Sequence, residues 1–91
     1  MNVWLAIIEE DREIDVTVFS TQALALHHAA KMAWNTFTFY RDKEVESDVR
    51  MDLEELFRQD RYKEFLTKFG SFAWLRGLTI SIEVAEKKVL D

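Results

Sequence analysis

Val3 to Phe19, "VWLAIIEEDREIDVTVF", decides the fold class of this chain. Val3, Leu5 and Ile7 fall on one face of an extended backbone, and Trp4, Ala6 and Ile8 fall on the other. Both faces are apolar, which predicts a central strand covered on two sides. Ile14, Val16 and Val18 then alternate with Asp15, Thr17 and Phe19, a second strand with one wetter face. The short acidic link between the two runs implies a hairpin. It holds no glycine and no Asn-Gly pair, which favours a four- or five-residue loop over a two-residue turn.

A helix follows. Ser20 or Thr21 supplies a cap oxygen, and "QALALHHAAKMAWNTF" consists of strong helix formers with no breaker. Leu26, Ala30, Ala33, Trp34 and Phe37 share one stripe, whose alanines let the helix sit close on a sheet. Thr36 to Arg41, "TFTFYR", reads as a third strand or a frayed helix end, and Asp42 to Asp48 as a charged loop. Asp52-Leu-Glu-Glu55 matches a capping box, with Asp52 as the cap. Leu53, Leu56 and Phe57 share one helical face, whereas Tyr62, Phe65, Leu66 and Phe69 share another about half a turn away. One straight helix would expose one of these sets. Two helices broken near Gln59-Asp60, the second capped by Asp60 and ended by Gly70, bury both. Leu78, Ile80, Ile82 and Val84 alternate with Thr79, Ser81, Glu83 and Ala85, the clearest strand of the chain, and "EKKVLD" is expected to fray. The order β-β-α-(β)-α-α-β gives a single α+β domain over residues 1–91: a small, mainly antiparallel sheet of three or four strands with helices packed on it.

Composition narrows the function. The 91 residues include no cysteine, which removes disulfides, thiolate metal sites and cysteine nucleophiles and fits a reducing cytoplasm. No apolar run is long enough to span a membrane, and the apolar start is too short and too quickly acidic for a secretory leader. The two glycines stand apart, so neither a phosphate-cradling loop nor a dinucleotide fingerprint is present, and no serine sits in a nucleophile elbow. His27 and His28 are neighbours on a helix, so they point about 100° apart and cannot converge on one ion. His27 falls at the margin of the apolar stripe and His28 points away from it; both read as helix surface. These features point away from an enzyme and call for neither cofactor nor metal.

Charge is segregated within a net of −5. Glu9, Glu10, Asp11, Glu13 and Asp15 face only Arg12 in the hairpin link, and a second acidic block runs from Asp42 to Asp60. Arg61 to Arg76, "RYKEFLTKFGSFAWLR", is basic and aromatic. Interleaved bases and rings are what single-strand nucleic-acid binders use. A helix that buries Tyr62, Phe65, Phe69 and Phe72 and solvates Arg61, Lys63 and Lys68 explains the same pattern, and the net negative charge opposes phosphate binding. The sequence therefore favours a protein or nucleoprotein partner with a basic surface over direct nucleic-acid binding. Glu9, Glu10, Asp11, Glu13, Asp42, Glu44, Glu46 and Asp48 would make electrostatic first contact, and an exposed ring such as Tyr40 or Trp74 would anchor it. The alternative is a self-associating module, a small homodimer that pairs through Leu78 to Val84 as an edge strand.

The small, acidic, Cys- and Pro-free chain, its "NVWLAIIEEDREIDVTVFS" hairpin run and the "TQALALHHAAKMAW" helix straight after it resemble small phage-encoded accessory proteins, inhibitors of the anti-CRISPR type among them. The resemblance implies an inhibitor that occupies a surface on a large complex of a bacterial defence system, without chemistry. It transfers no functional residue.

Overall fold

The computed structural model describes residues 1–40 and 47–89. The order is β1 (Asn2–Glu10), β2 (Glu13–Phe19), α1 (Gln22–Tyr40), α2 (Ser47–Arg58), α3 (Tyr62–Leu75) and β3 (Ile80–Lys88). The strands form one antiparallel sheet in the order β2-β1-β3, an α+β fold whose central strand is the doubly apolar β1. In register, Ile8 lies beside Asp15 on one side and Ile82 on the other; Ile7 lies between Val16 and Glu83.

The β1–β2 link is a two-residue turn, not the longer loop expected. Glu10 pairs with Glu13, and Asp11 and Arg12 both have positive φ, 48° and 74°, the pattern of a type I′ hairpin. Asp11 tolerates this conformation and is tied down from outside. Its N–H donates to the Thr79 carbonyl at 3.4 Å, and the Thr79 hydroxyl donates to its carboxylate at 2.6 Å.

Thr21 caps α1 by accepting from the Leu24 N–H at 3.2 Å. The helix runs on through Tyr40, so the extra strand expected from Thr36 is absent among the described residues; Arg41 lies outside them. Burial of Phe37 in the core overrides the β propensity of "TFTFY", and Thr36 and Thr38 bond back to the carbonyls of Met32 and Asn35.

Helix α2 begins at Ser47, which places Asp52 inside it rather than at its cap. Asp52 instead accepts from Lys68 Nζ of α3 at 2.8 Å. The break expected at Gln59-Asp60 is present, but Asp60 does not cap α3. It takes φ 58° in the link and accepts from the Tyr62 hydroxyl, while Arg61 occupies the cap position without a side-chain capping bond. Gly70 is interior to α3, which continues because Phe69, Phe72 and Ala73 are all buried. Gly77 ends it, at φ 68°: its N–H reaches the Trp74 carbonyl and the Leu78 N–H reaches the Ala73 carbonyl, a Schellman closure. "EKK" is strand and not frayed tail, since Glu86, Lys87 and Lys88 pair with Trp4, Val3 and Asn2. Leu90 and Asp91 lie outside the described residues.

The core sits between the helices and one face of the sheet. Phe37, Leu53, Phe65 and Phe69 are its largest fully buried side chains, with Leu78, Ile80 and Ile82 packed against it from the β3 side. Trp34 stacks on Phe57 with ring centroids 4.4 Å apart, joining α1 to α2. His27 meets Tyr62 and Phe37 meets Phe72, so α1 and α3 run the same way. Ala25, Ala29, Ala30 and Ala33 are fully buried and bring α1 close to β1 and β3.

Candidate interaction surface

Strand side chains alternate between faces, and directly paired residues share a face. Ala6 and Ile8 are buried under the helices, so Ile80, Ile82 and Val84 share their side, as do Asp15, Thr17 and Phe19. The opposite side carries Val3, Leu5, Ile7 and Glu9 from β1, Ile14, Val16 and Val18 from β2, and Ser81, Glu83, Ala85 and Lys87 from β3. Every helix packs on the first side or on another helix, so no described element covers the second.

The expectation that β1 is covered on two sides is therefore corrected: it is central, yet one of its apolar faces is open. Val3, Leu5 and Ile7 are half-buried, flanked only by neighbouring strands. On β2 the same side is barer still, with Ile14 65%, Val16 49% and Val18 59% exposed. The polar residues of β2, Glu13 and Asp15, sit on the side that the helices occupy, but they too are exposed because α1 lies chiefly over β1 and β3. The two-residue turn fixes this register. A slip of one residue would send the apolar set of β2 to the helix side.

Of the sequence-derived contacts, Glu9, Glu10, Asp11 and Glu13 gather at the hairpin end of the sheet. Only Glu9 lies on the open face; Glu10 and Glu13 pair on the other, and Asp11 is in the turn, held by Thr79. Glu9, Asp11, Arg12, Thr79 and Ser81 line a shallow cleft there. Asp48 is exposed in the first turn of α2. Trp74 is 79% exposed at the end of α3, beside exposed Leu75. Tyr40 is the last residue of α1, and Asp42, Glu44 and Glu46 lie outside the described residues. The sequence reading missed Val3, Leu5, Ile7, Ile14, Val16 and Val18 as surface residues, because alternation shows that two faces differ without showing which one a helix will cover.

The histidines point to different neighbours. His28 turns to β2, its ring 5.2 Å from that of Phe19, and does not point away as expected; the exposed His27 lies edge-on to Tyr62 at 5.3 Å. In the basic aromatic segment Phe65, Phe69 and Phe72 are buried, Arg61 pairs with Glu64, and Lys68 with Asp52. The Tyr62 phenol is held above its ordinary value of 10, first by the hydrogen bond it donates to Asp60, then by burial and by the Asp60 charge. Among the described residues no polar or charged residue is buried, no group of three metal-ligating side chains converges, and no helix is long and apolar enough to cross a membrane. Compared with known protein families, curated proteins and solved structures, the chain matches none.

Proposed function

We propose that this chain is a non-catalytic binding protein that works by covering a surface of another macromolecule, with the open sheet face as its contact and the hairpin acids as orienting charge. One observation carries the reading: a contiguous apolar face, Val3, Leu5, Ile7, Ile14, Val16 and Val18, with no described element over it. Contiguous exposed apolar patches mark interaction sites, whereas single exposed residues mark nothing. Glu9 at one end of the face, with Glu10, Asp11 and Glu13 around the turn, gives an approaching basic rim its orientation. The concrete form is an inhibitor docking on a basic-surfaced protein or nucleoprotein complex, such as a phage-encoded antagonist of a CRISPR-type defence. The resemblance of build and charge supports that form.

The test compares affinity capture from a bacterial lysate by three proteins: wild type, Val16→Glu, and Glu10→Lys with Glu13→Lys. Val16→Glu should lose the specific partner outright, because it buries an unpaired charge in the contact. The hairpin reversal should slow association and flatten its salt dependence. Equal capture by all three at two salt concentrations would exclude both surfaces.

A further inference from the structure

We infer that the open sheet face pairs with the same face of a second copy of this chain, around a two-fold axis that runs across the strands near Leu5 and Val18. The inference rests on reading that face as a contact surface and names its occupant in the absence of the larger partner.

The charge pattern of β3 carries it. On the open side β3 presents Ser81, Glu83, Ala85 and Lys87 in order. Lys87 lies beside Val3, Ala85 beside Leu5 and Glu83 beside Ile7. An isologous contact must complement itself: if a residue meets another, the second meets the first. A two-fold axis through the row of Val18, Leu5 and Ala85 reverses the strand direction and keeps each strand over its own copy. Lys87 of one copy then faces Glu83 of the other, and Glu83 faces Lys87. Leu5 and Val18 meet their own copies, and Ile7 meets Val3. Opposite charges land on opposite charges twice, and apolar groups land on apolar groups at the centre. Ala85, the small residue between the two charges, leaves room for a second sheet to approach along the β3 edge.

The distribution of polar residues agrees. Glu10 and Glu13 are on the helix side and Asp11 is in the turn, so the acids that would repel a second copy are off the contact, and Glu9 is at its end. A membrane surface fits poorly, because the rim of Glu9, Glu83 and Lys87 is net negative and would meet anionic headgroups. About this axis β1 and β3 overlap their copies over about seven residues and β2 over about three, which with strands about 4.8 Å apart gives a projected face of roughly 250–300 Å² per copy. With side-chain relief the two copies bury on the order of 800 Å², the size of a weak, transient contact. The pairing is therefore weak and reversible.

Sedimentation velocity from about 5 to 500 µM tests this, a span wide enough to bracket the dissociation constant of a small interface. The wild type should pass from monomer to dimer. Val18→Glu should weaken dimerisation at least about tenfold, since it sets two unpaired charges against each other on the axis. Lys87→Glu sets like charges against each other and should weaken it by about three- to tenfold, and Glu83→Lys similarly. The double variant Glu83→Lys with Lys87→Glu restores both pairs and should regain the wild-type constant, which a merely structural role of either residue would not produce. Circular dichroism of each variant confirms that the fold is kept. A wild type that stays monomeric at 500 µM, or a charge swap that fails to rescue, overturns the second-copy assignment. If the monomeric wild type still captures a lysate protein that Val16→Glu loses, the face binds a different protein and only the assignment of a second copy falls.

Discussion

The two faces of one sheet have been built to opposite specifications. On the helix side small residues meet large rings: Ala6 on β1 and Ala25, Ala29, Ala30 and Ala33 on α1 are almost completely enclosed, and Phe37, Phe65 and Phe69 fill the space beside them. On the open side β1 and β2 present mid-sized aliphatics, Val3, Leu5, Ile7, Ile14, Val16 and Val18, with no aromatic among them, bordered by Glu9 and by Ser81, Glu83, Ala85 and Lys87 of β3. Close-packed cores need interdigitation of large and small. A flat contact made and released by association needs an even apolar field with charge at its margin. The helix side therefore supplies the stability of the monomer, and the open side supplies almost none of it.

The largest test of that division is to cut one side chain from each face. Phe65→Ala removes a fully buried ring that touches Trp34, Phe57 and Phe69, and should cost about 3–5 kcal/mol, enough to unfold a domain of this size. Val16→Thr on the open side keeps a β-branched shape and should change monomer stability by no more than about 0.5 kcal/mol. Urea unfolding at about 1 µM protein, where association contributes nothing, measures both. Comparable losses would mean that the open face belongs to the core.

This asymmetry was half legible in the sequence. Alternation in "NVWLAII" and "EIDVTVF" identified the strands, because period two needs no knowledge of what covers them. The phase jump between Leu53, Leu56 and Phe57 and the set from Tyr62 onward identified the helix break, because one straight helix has no place for both. What alternation does not contain is the side on which the helices pack, and so nothing in the sequence marks the apolar set of β2 as the open one. Asp52 looked like a cap because its neighbours fit the motif, yet α2 starts a turn and more earlier and the carboxylate serves Lys68. Gly70 looked like a stop, but a helix continues through glycine when the residues beyond it are buried, and the stop falls at Gly77, where φ is positive. The acids of the hairpin were legible as a cluster; that most of them turn away from the apolar face follows only from the two-residue turn.

Enlarging an alanine on each face sharpens the contrast at an intermediate scale. Ala33 is fully enclosed on α1, so Ala33→Leu should overpack the helix–sheet contact and cost about 1–3 kcal/mol. Ala85 faces the open side of β3, so Ala85→Leu should leave monomer stability within about 0.5 kcal/mol. A large loss from Ala85→Leu would show that the side treated as open is packed.

The smallest effect concerns what holds β2, which takes little from either face. Its polar side is exposed at Glu13 and Asp15 and half-buried only at Thr17 and Phe19, and its apolar side is bare, so its place depends chiefly on the ladder to β1 and on the turn that sets the register. That turn contains a flaw: Arg12 holds φ 74°, a region that a side chain with Cβ enters at a cost. Arg12→Gly removes the strain and leaves an Asp-Gly turn, the preferred chemistry for a type I′ hairpin. The extra freedom of glycine in the unfolded chain offsets part of the gain. The net expectation is a stabilisation of about 0.5–1 kcal/mol, or a rise of roughly 3–6 °C in the thermal midpoint for a domain of this size. Asp11 stays to accept from Thr79, so the hairpin end keeps its tie to β3. The same variant should slow hydrogen exchange at the amides of β2 more than at those of α3, since the strand with least burial gains most from a better turn. Uniform slowing across the chain would mean that β2 opens only with the whole domain, and that the open face supports the monomer after all.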